Sequence, residues 1–184
     1  MPKLRVPLLV LLLAPLLVLS ACGSGDVGPK PTYPSETPAL WNPCDGLKLG
    51  FVKQTFGASF TKQSGTPTKP ECRFVPKKGG PAVNANYQMF GGSLDEFFTA
   101  MDVPTDADVR TPKVAASDGV RIVVSAEKDQ LYVTGFVQNG FLFQVVNVVD
   151  PAPYDKETVV QGVGAVLGQL SEHAADKGAG QESE

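Results

Sequence analysis

Cys22 is the first residue whose type and position indicate a specific chemistry. Lys3 and Arg5 precede an apolar run of 14 residues, 6–19, which two small residues separate from the cysteine. This layout is typical of a secretory signal peptide, and the run is shorter than the roughly 20 apolar residues of a membrane-spanning helix. Residues 19–22, Leu-Ser-Ala-Cys, match all four positions of the bacterial lipobox, whose thiol accepts a diacylglyceryl group. We therefore predict lipidation at Cys22.

Processing at Cys22 would define two further segments. Residues 1–21 form the lipoprotein signal peptide, and residues 22–38 form a lipid-anchored flexible tether rich in Gly, Pro, Ser and Thr. Loss of the signal peptide changes the net charge from −3 to −5, which leaves no basic footprint for nucleic acid. We expect the protein on the extracytoplasmic face of the cell membrane, held through acylated Cys22. Plain secretion is the weaker alternative, because Leu19 stands where signal peptidase needs a small residue.

Cys44 and Cys72 are the two remaining cysteines, 28 residues apart. Neither has the C-x-x-C neighbour of a thioredoxin-like redox pair. Export places both thiols in an oxidising compartment, where disulfides form and persist. We predict a structural Cys44–Cys72 disulfide that stabilises the fold by about 3.6 kcal/mol in the chain-entropy model.

Ser59 and Lys62 form an S-x-x-K pattern. On a helix this spacing places both side chains on one face, where a lysine can activate a serine for nucleophilic attack. The K-T-G motif that accompanies it in penicillin-interacting enzymes is missing from the sequence, and a chance match is expected in a chain with this many serines and lysines. The segment is predicted to be a loop, and catalysis by Ser59 with Lys62 stays open as an alternative.

An acidic segment, 102–112, is the longest loop predicted between elements. It contains two prolines and the charged residues Asp102, Asp106, Asp108 and Arg110. Loops carry binding residues more often than packed elements do, so this segment is a possible partner loop. A calcium site is disfavoured, because the Gly and Glu of an EF-hand loop do not follow at positions six and twelve. A solvated acidic connection is the plainer interpretation.

Two other patterns argue against metal and nucleotide chemistry. His173 is the chain's one histidine, and no cluster of ligands accompanies it in the sequence. The glycines at 162, 164 and 168 follow G-x-G-x-x-x-G inside a predicted helix, which differs from a dinucleotide fingerprint. We expect these glycines to let the helix approach a neighbour closely. We expect neither a metal nor another cofactor.

The elements that must position these residues follow from hydrophobic periodicity and capping signals. The predicted helices are 42–57, capped by Asn42 with Pro43 in the first turn, a short helix opened by the capping box of Ser93 and Glu96, and 154–174. The predicted strands are a strand entry at 72–75, then 82–90, 121–126, 131–137 and 141–149. In strand 82–90, Asn84, Asn86 and Gln88 form the polar side. Asn139-Gly140 predicts a type I′ hairpin between the last two strands.

These elements predict an α+β domain at 39–175 and a disordered tail at 176–184. The fold class is an antiparallel sheet of about five to six strands with helices on both faces, an α/β/α sandwich. Strand 141–149 is apolar toward both faces and is expected to be covered on both, so the sheet itself is predicted to be a poor binding site.

The motifs as a set resemble a known family. Asn42-Pro43-Cys44, a second cysteine in Cys72-Arg73-Phe74 and the lipobox are together similar to uncharacterised actinobacterial lipoproteins, which carry a domain of unknown function with a P-C pair and a C-x-[FW] strand. The position that is often Trp in that family is Phe74 here. The layout also resembles the Mog1/PsbP-like fold of some envelope lipoproteins, an α/β/α sandwich, which implies binding or assembly work. The resemblance carries no catalytic residue over.

The function expected from these observations is that of a lipid-anchored binding or accessory lipoprotein of the cell envelope, not an enzyme. Its partner would be an envelope protein, a glycan or a lipid. Two alternatives stay open: a small envelope hydrolase with an unrecognised site, and a structural spacer within an envelope complex.

Overall fold

A computed structural model describes residues 41–101 and 103–180 of the chain. The predicted signal peptide, the lipidation site Cys22 and the whole tether 22–38 lie outside the described residues, as does Asp102. Within the described part, none of the helices combines the length and the apolar character needed to cross a bilayer.

One antiparallel sheet forms the centre of the domain, so the α+β class and the antiparallel sheet are confirmed. The elements in chain order are α1 (Pro43–Gly46), α2 (Leu49–Phe56), β1 (Phe60–Thr66), β2 (Lys69–Pro76), β3 (Ala82–Met89), α3 (Leu94–Ala100), β4 (Asp108–Arg110), β5 (Gly119–Ala126), β6 (Gln130–Asn139), β7 (Leu142–Pro151) and α4 (Lys156–Asp176). The strands lie in the order β1-β2-β3-β7-β6-β5-β4 across the sheet.

The sheet has seven strands, so the predicted five to six was too few. Most residues of strand β1 are polar, and Phe60 is the one buried residue of this strand. The strand therefore shows no alternation of apolar and polar residues. Strand β4 has only three residues and lies inside the segment predicted as a loop. Both are edge strands, whose stability comes from one neighbouring strand rather than from burial of their own side chains.

The predicted first helix is interrupted after one turn. Asn42 caps it as expected, since its side chain accepts a hydrogen bond from the Cys44 backbone at 2.9 Å. The chain then becomes extended at Leu47 before α2 begins. Lys62 Nζ donates to the carbonyls of Cys44 and Leu47 at 2.7 Å each. The lysine therefore satisfies carbonyl oxygens that would otherwise lack a partner at this break.

The last two strands form the predicted hairpin with a different turn. Asn139 pairs with Leu142, so Gly140 and Phe141 are the central residues. Gly140 has a φ of 60°, whereas Phe141 is not among the residues with positive φ. A type I′ turn needs positive φ at both central residues, whereas a type II′ turn has Gly with positive φ at the first one only. The turn is therefore type II′, and the type I′ prediction was wrong.

Two apolar clusters use alternate residues of the central strands, which point to opposite faces of the sheet. The larger cluster packs α2 and α4 against residues such as Val133, Val146 and Val148. The smaller cluster packs Leu94 and Phe97 of α3 against three buried residues, Phe136, Phe143 and Val145.

Glycines bring α4 close to its neighbours. A Cβ at Gly162 would lie 2.5 Å from the ring of Phe56, and one at Gly135 of β6 would lie 2.5 Å from Val163. Close approach is confirmed for Gly162, while the surroundings of Gly164 and Gly168 leave room for a Cβ. Helix α4 extends two residues past its predicted end.

Candidate binding surface

The two cysteines of the domain, Cys44 and Cys72, are joined as predicted. Cys44 of α1 and Cys72 of β2 form a disulfide with an S–S distance of 2.03 Å. Both cysteines are buried. The bond fixes the first helix to the sheet and leaves neither thiol as a nucleophile.

Ser59 and Lys62 do not form the arrangement that serine activation needs. Ser59 is exposed just before β1, and Lys62 lies within that strand rather than on a helix. The Lys62 ammonium is held by the Cys44 and Leu47 carbonyls and lies 6.0 Å from the centre of the Phe74 ring. Its role in the structure is therefore to join α1 to the sheet.

The predicted partner segment is partly committed to the sheet and to α4. Asp108 accepts hydrogen bonds from Arg110 at 2.6 Å and from Lys156 at 2.7 Å. Arg110 also donates to Glu157 at 3.4 Å. Hydrogen bonds from Arg110 and then from Lys156 hold the pKa of the Asp108 carboxyl below its usual value. Asp106 lies in the exposed turn before β4.

This ion-pair network gives Asp108 a structural role. Its carboxylate pairs with Arg110 of β4 and with Lys156 in the first turn of α4, so it connects the two elements. We therefore predict that Asp108→Asn lowers the urea midpoint at pH 7. Since the folded-state pKa is below 3.8, this contribution is complete above pH 3.8 and is lost as the pH falls through the folded-state value.

Urea unfolding at several pH values tests this, with Asp106→Asn as the matched control. The difference between wild type and Asp108→Asn is expected to shrink below pH 3.8. A difference that persists unchanged in strong acid would contradict the ion-pair assignment.

His173 lies in a small aromatic cluster. Its ring centroid is 5.8 Å from that of Trp41, which is 6.0 Å from that of Tyr87. Trp41 Nε1, Tyr87 Oη and His173 Nε2 are buried and have no hydrogen-bond partner among the described residues. Burial first, and the Asp45 carboxylate second, raise the pKa of Tyr87. Within 41–101 and 103–180, no three His, Cys, Asp or Glu residues are grouped so that they could hold a metal ion.

The sheet face opposite α4 carries a row of polar side chains. Cross-strand pairing places one residue from each of five neighbouring strands in line: Gln63, Arg73, Asn84, Asn147 and Thr134. Asn86, two residues along β3 from Asn84, lies on the same face. We call these six residues the amide face.

Burial separates the amide face from the apolar part of the same surface. Helix α3 packs over Phe136, Phe143 and Val145, which are buried. One step further along β7, Asn147 is only half-buried, and Arg73 is exposed. The expectation that strand 141–149 would be covered on both faces along its whole length is therefore wrong at Asn147.

Hydrogen bonding within the amide face is incomplete. Thr134 Oγ1 donates to Asn147 Oδ1 at 3.0 Å. Asn84 Oδ1, next in the row, is buried and has no partner among the described residues. A buried acceptor without a donor costs about 1–3 kcal/mol, so this atom favours a bound hydrogen-bond donor.

The charges on this surface balance. Arg73 donates to Glu71 at 2.9 Å, and Glu71 pairs across the strands with Asn86. The Glu71 side chain is 15% exposed and that of Arg73 is 46% exposed, so the guanidinium is the more accessible partner. Among the six residues of the amide face, Arg73 is the one cation, and the neighbouring Glu71 carboxylate balances its charge.

The sequence pattern predicted some residues of the amide face but not others. The alternation in β3 correctly placed Asn84, Asn86 and Gln88 on the polar side of a half-buried strand. Asn147 was missed, because its strand was interpreted as apolar throughout. Its neighbours in sequence are valines, so a single polar residue facing outward gave little signal. No family model matches the chain, and no curated protein matches it either.

Proposed function

We propose that this protein is a lipid-anchored lipoprotein of the cell envelope that acts by binding, and that the amide face is its binding surface. The observation that carries the proposal is the exposed half of the sheet around Asn84, whose buried Oδ1 has no hydrogen-bond partner among the described residues. Supporting this, the Lys62 ammonium is bound to backbone carbonyls, and both cysteines of the domain form the disulfide. The proposed place is the extracytoplasmic face of the cell membrane.

We also propose that the chain is a member of the actinobacterial lipoproteins with a Mog1/PsbP-like layout. Its fold would then be an α/β/α sandwich. The packing of α3 and α4 against alternate residues of β6 and β7 supports the sandwich. A partial second layer is consistent with a binding role, because α3 has only seven residues and leaves the amide face uncovered.

Lipidation is tested by Cys22→Ala. The variant is expected to lose metabolic lipid labelling completely and to leave the detergent phase, since the thiol is the acceptor of the diacylglyceryl group. Cys44→Ala/Cys72→Ala, which retains Cys22, is the matched control and should label like wild type. Unchanged labelling of Cys22→Ala would contradict the anchor.

The binding surface is tested by capture from envelope extract with Asn84→Ala/Asn147→Ala. We expect the captured material to fall at least tenfold, because two adjacent amides in the row are removed. Gln54→Ala/Gln161→Ala is the matched control, since it removes two exposed amides from α2 and α4 on the other side of the sheet. Loss of capture in the control alone would place the site on the helices and overturn the proposal.

A further inference from the structure

We propose that the ligand of the amide face is a neutral, hydroxyl-rich oligosaccharide carrying acetamido groups. This inference rests on the proposed function and adds the chemical class of the ligand. It is carried by the composition of the surface, its arrangement and its charge.

The distribution of polar and apolar groups distinguishes a glycan from a protein partner. Protein interfaces have an apolar centre enriched in aromatic residues and a polar rim. The amide face has the opposite arrangement, with Asn84 and Asn147 at its centre and apolar side chains at its borders. Tyr132, 37% exposed, lies two residues along β6 from Thr134, and the half-buried Phe98 packs against the ring of Phe136 on the other border.

The hydrogen-bonding capacity of the central residues fits sugar substituents. Each Asn or Gln amide offers two N–H donors and an accepting oxygen, and a threonine hydroxyl can do both. Hydroxyl and acetamido groups have the same double capacity, so they can pair with every group in the row. Rotation of the half-buried Asn84 amide toward the surface would let a hydroxyl or acetamido N–H supply the donor that its oxygen lacks among the described residues.

Charge argues against a polyanionic ligand. Polyphosphates and nucleic acids are bound through several Lys or Arg side chains. The amide face contains one arginine, and Glu71 pairs with it at 2.9 Å. A neutral ligand avoids repulsion by the Glu71 carboxylate. Its oxygen atoms can still accept hydrogen bonds from the exposed Arg73 guanidinium.

The row is long enough for several sugar units. Gln63 and Thr134 stand four strand intervals apart, which is roughly 19 Å at a spacing of about 4.8 Å. Apolar C–H faces of the sugar rings would pack on the Tyr132 and Phe98 borders, while polar edges meet the amides.

The experiment is a titration of the processed protein, ¹⁵N-labelled, with the tetrasaccharide of N-acetylglucosamine, followed by the side-chain amide resonances. We expect the resonances of Asn84, Asn86 and Asn147 to shift, with those of Gln54 and Gln161 unchanged. Asn84→Ala should weaken binding at least tenfold, and maltotetraose, which lacks acetamido groups, should bind more weakly. Linear polyphosphate should cause no shift at the amide face.

Two results would overturn the inference: no shift at millimolar tetrasaccharide, or stronger shifts with polyphosphate. Neither result removes the proposed function. If envelope capture still depends on Asn84 and Asn147 and the captured material is protein, the surface binds a partner of another class. If capture does not depend on those residues, the proposed function itself fails.

Discussion

Reduction of the Cys44–Cys72 disulfide should lower the free energy of unfolding by about 3.6 kcal/mol. The bond closes a separation of 28 residues, so its loss restores the corresponding entropy to the unfolded chain. This is a large fraction of the 5–15 kcal/mol that stabilises a typical domain. Urea unfolding with and without reductant measures the change, and alkylation should label both thiols only after reduction.

The double variant Cys44→Ala/Cys72→Ala is the control for the reductant. It should be destabilised to a similar extent and should no longer respond to reduction. Two reactive thiols in protein taken directly from the envelope, or identical unfolding curves with and without reductant, would contradict a structural disulfide.

Phe143→Ala should destabilise the domain by about 3–5 kcal/mol, the cost of deleting a buried aromatic ring. Phe143 is fully buried, and its ring lies 4.7 Å from Phe97 and 5.5 Å from Phe90 by ring centroids. The cavity would lie directly beneath α3. Amide hydrogen exchange in α3 should therefore accelerate more than exchange in α4.

A second phenylalanine, two residues earlier in the chain, provides the control. Phe141 occupies the hairpin turn and is 40% exposed, so Phe141→Ala should change stability by no more than about 0.5 kcal/mol. Equal effects of the two substitutions would mean that α3 does not depend on this aromatic cluster.

Local signals in the sequence predicted the elements with strong caps. Ser93 and Glu96 form the expected capping box, and Asp155 caps α4 one residue inside its predicted start. Asn42 caps the first helix as expected, but the break at Leu47 was missed because Lys62, which binds the freed carbonyls, is distant in sequence.

The amide face depends on contacts that the sequence does not display. Gln63, Arg73 and Asn84 are aligned only by the register of β1, β2 and β3, and β1 itself lacked a recognisable pattern. The apolar character of β7 correctly predicted burial at Phe143 but not the open surface at Asn147. A strand can change from covered to open along its length when the helix above it is short.

The most direct test of the account is photo-crosslinking in intact cells from a photoreactive residue at position 147, with position 161 on α4 as the control. The account predicts a discrete, abundant adduct from position 147 and none from position 161. Digestion with glycan-degrading enzymes should remove the adduct if the ligand is an oligosaccharide, while a protease-sensitive adduct would leave the surface assignment intact. No adduct from position 147, or equal adducts from both positions, would contradict the amide face as the binding surface.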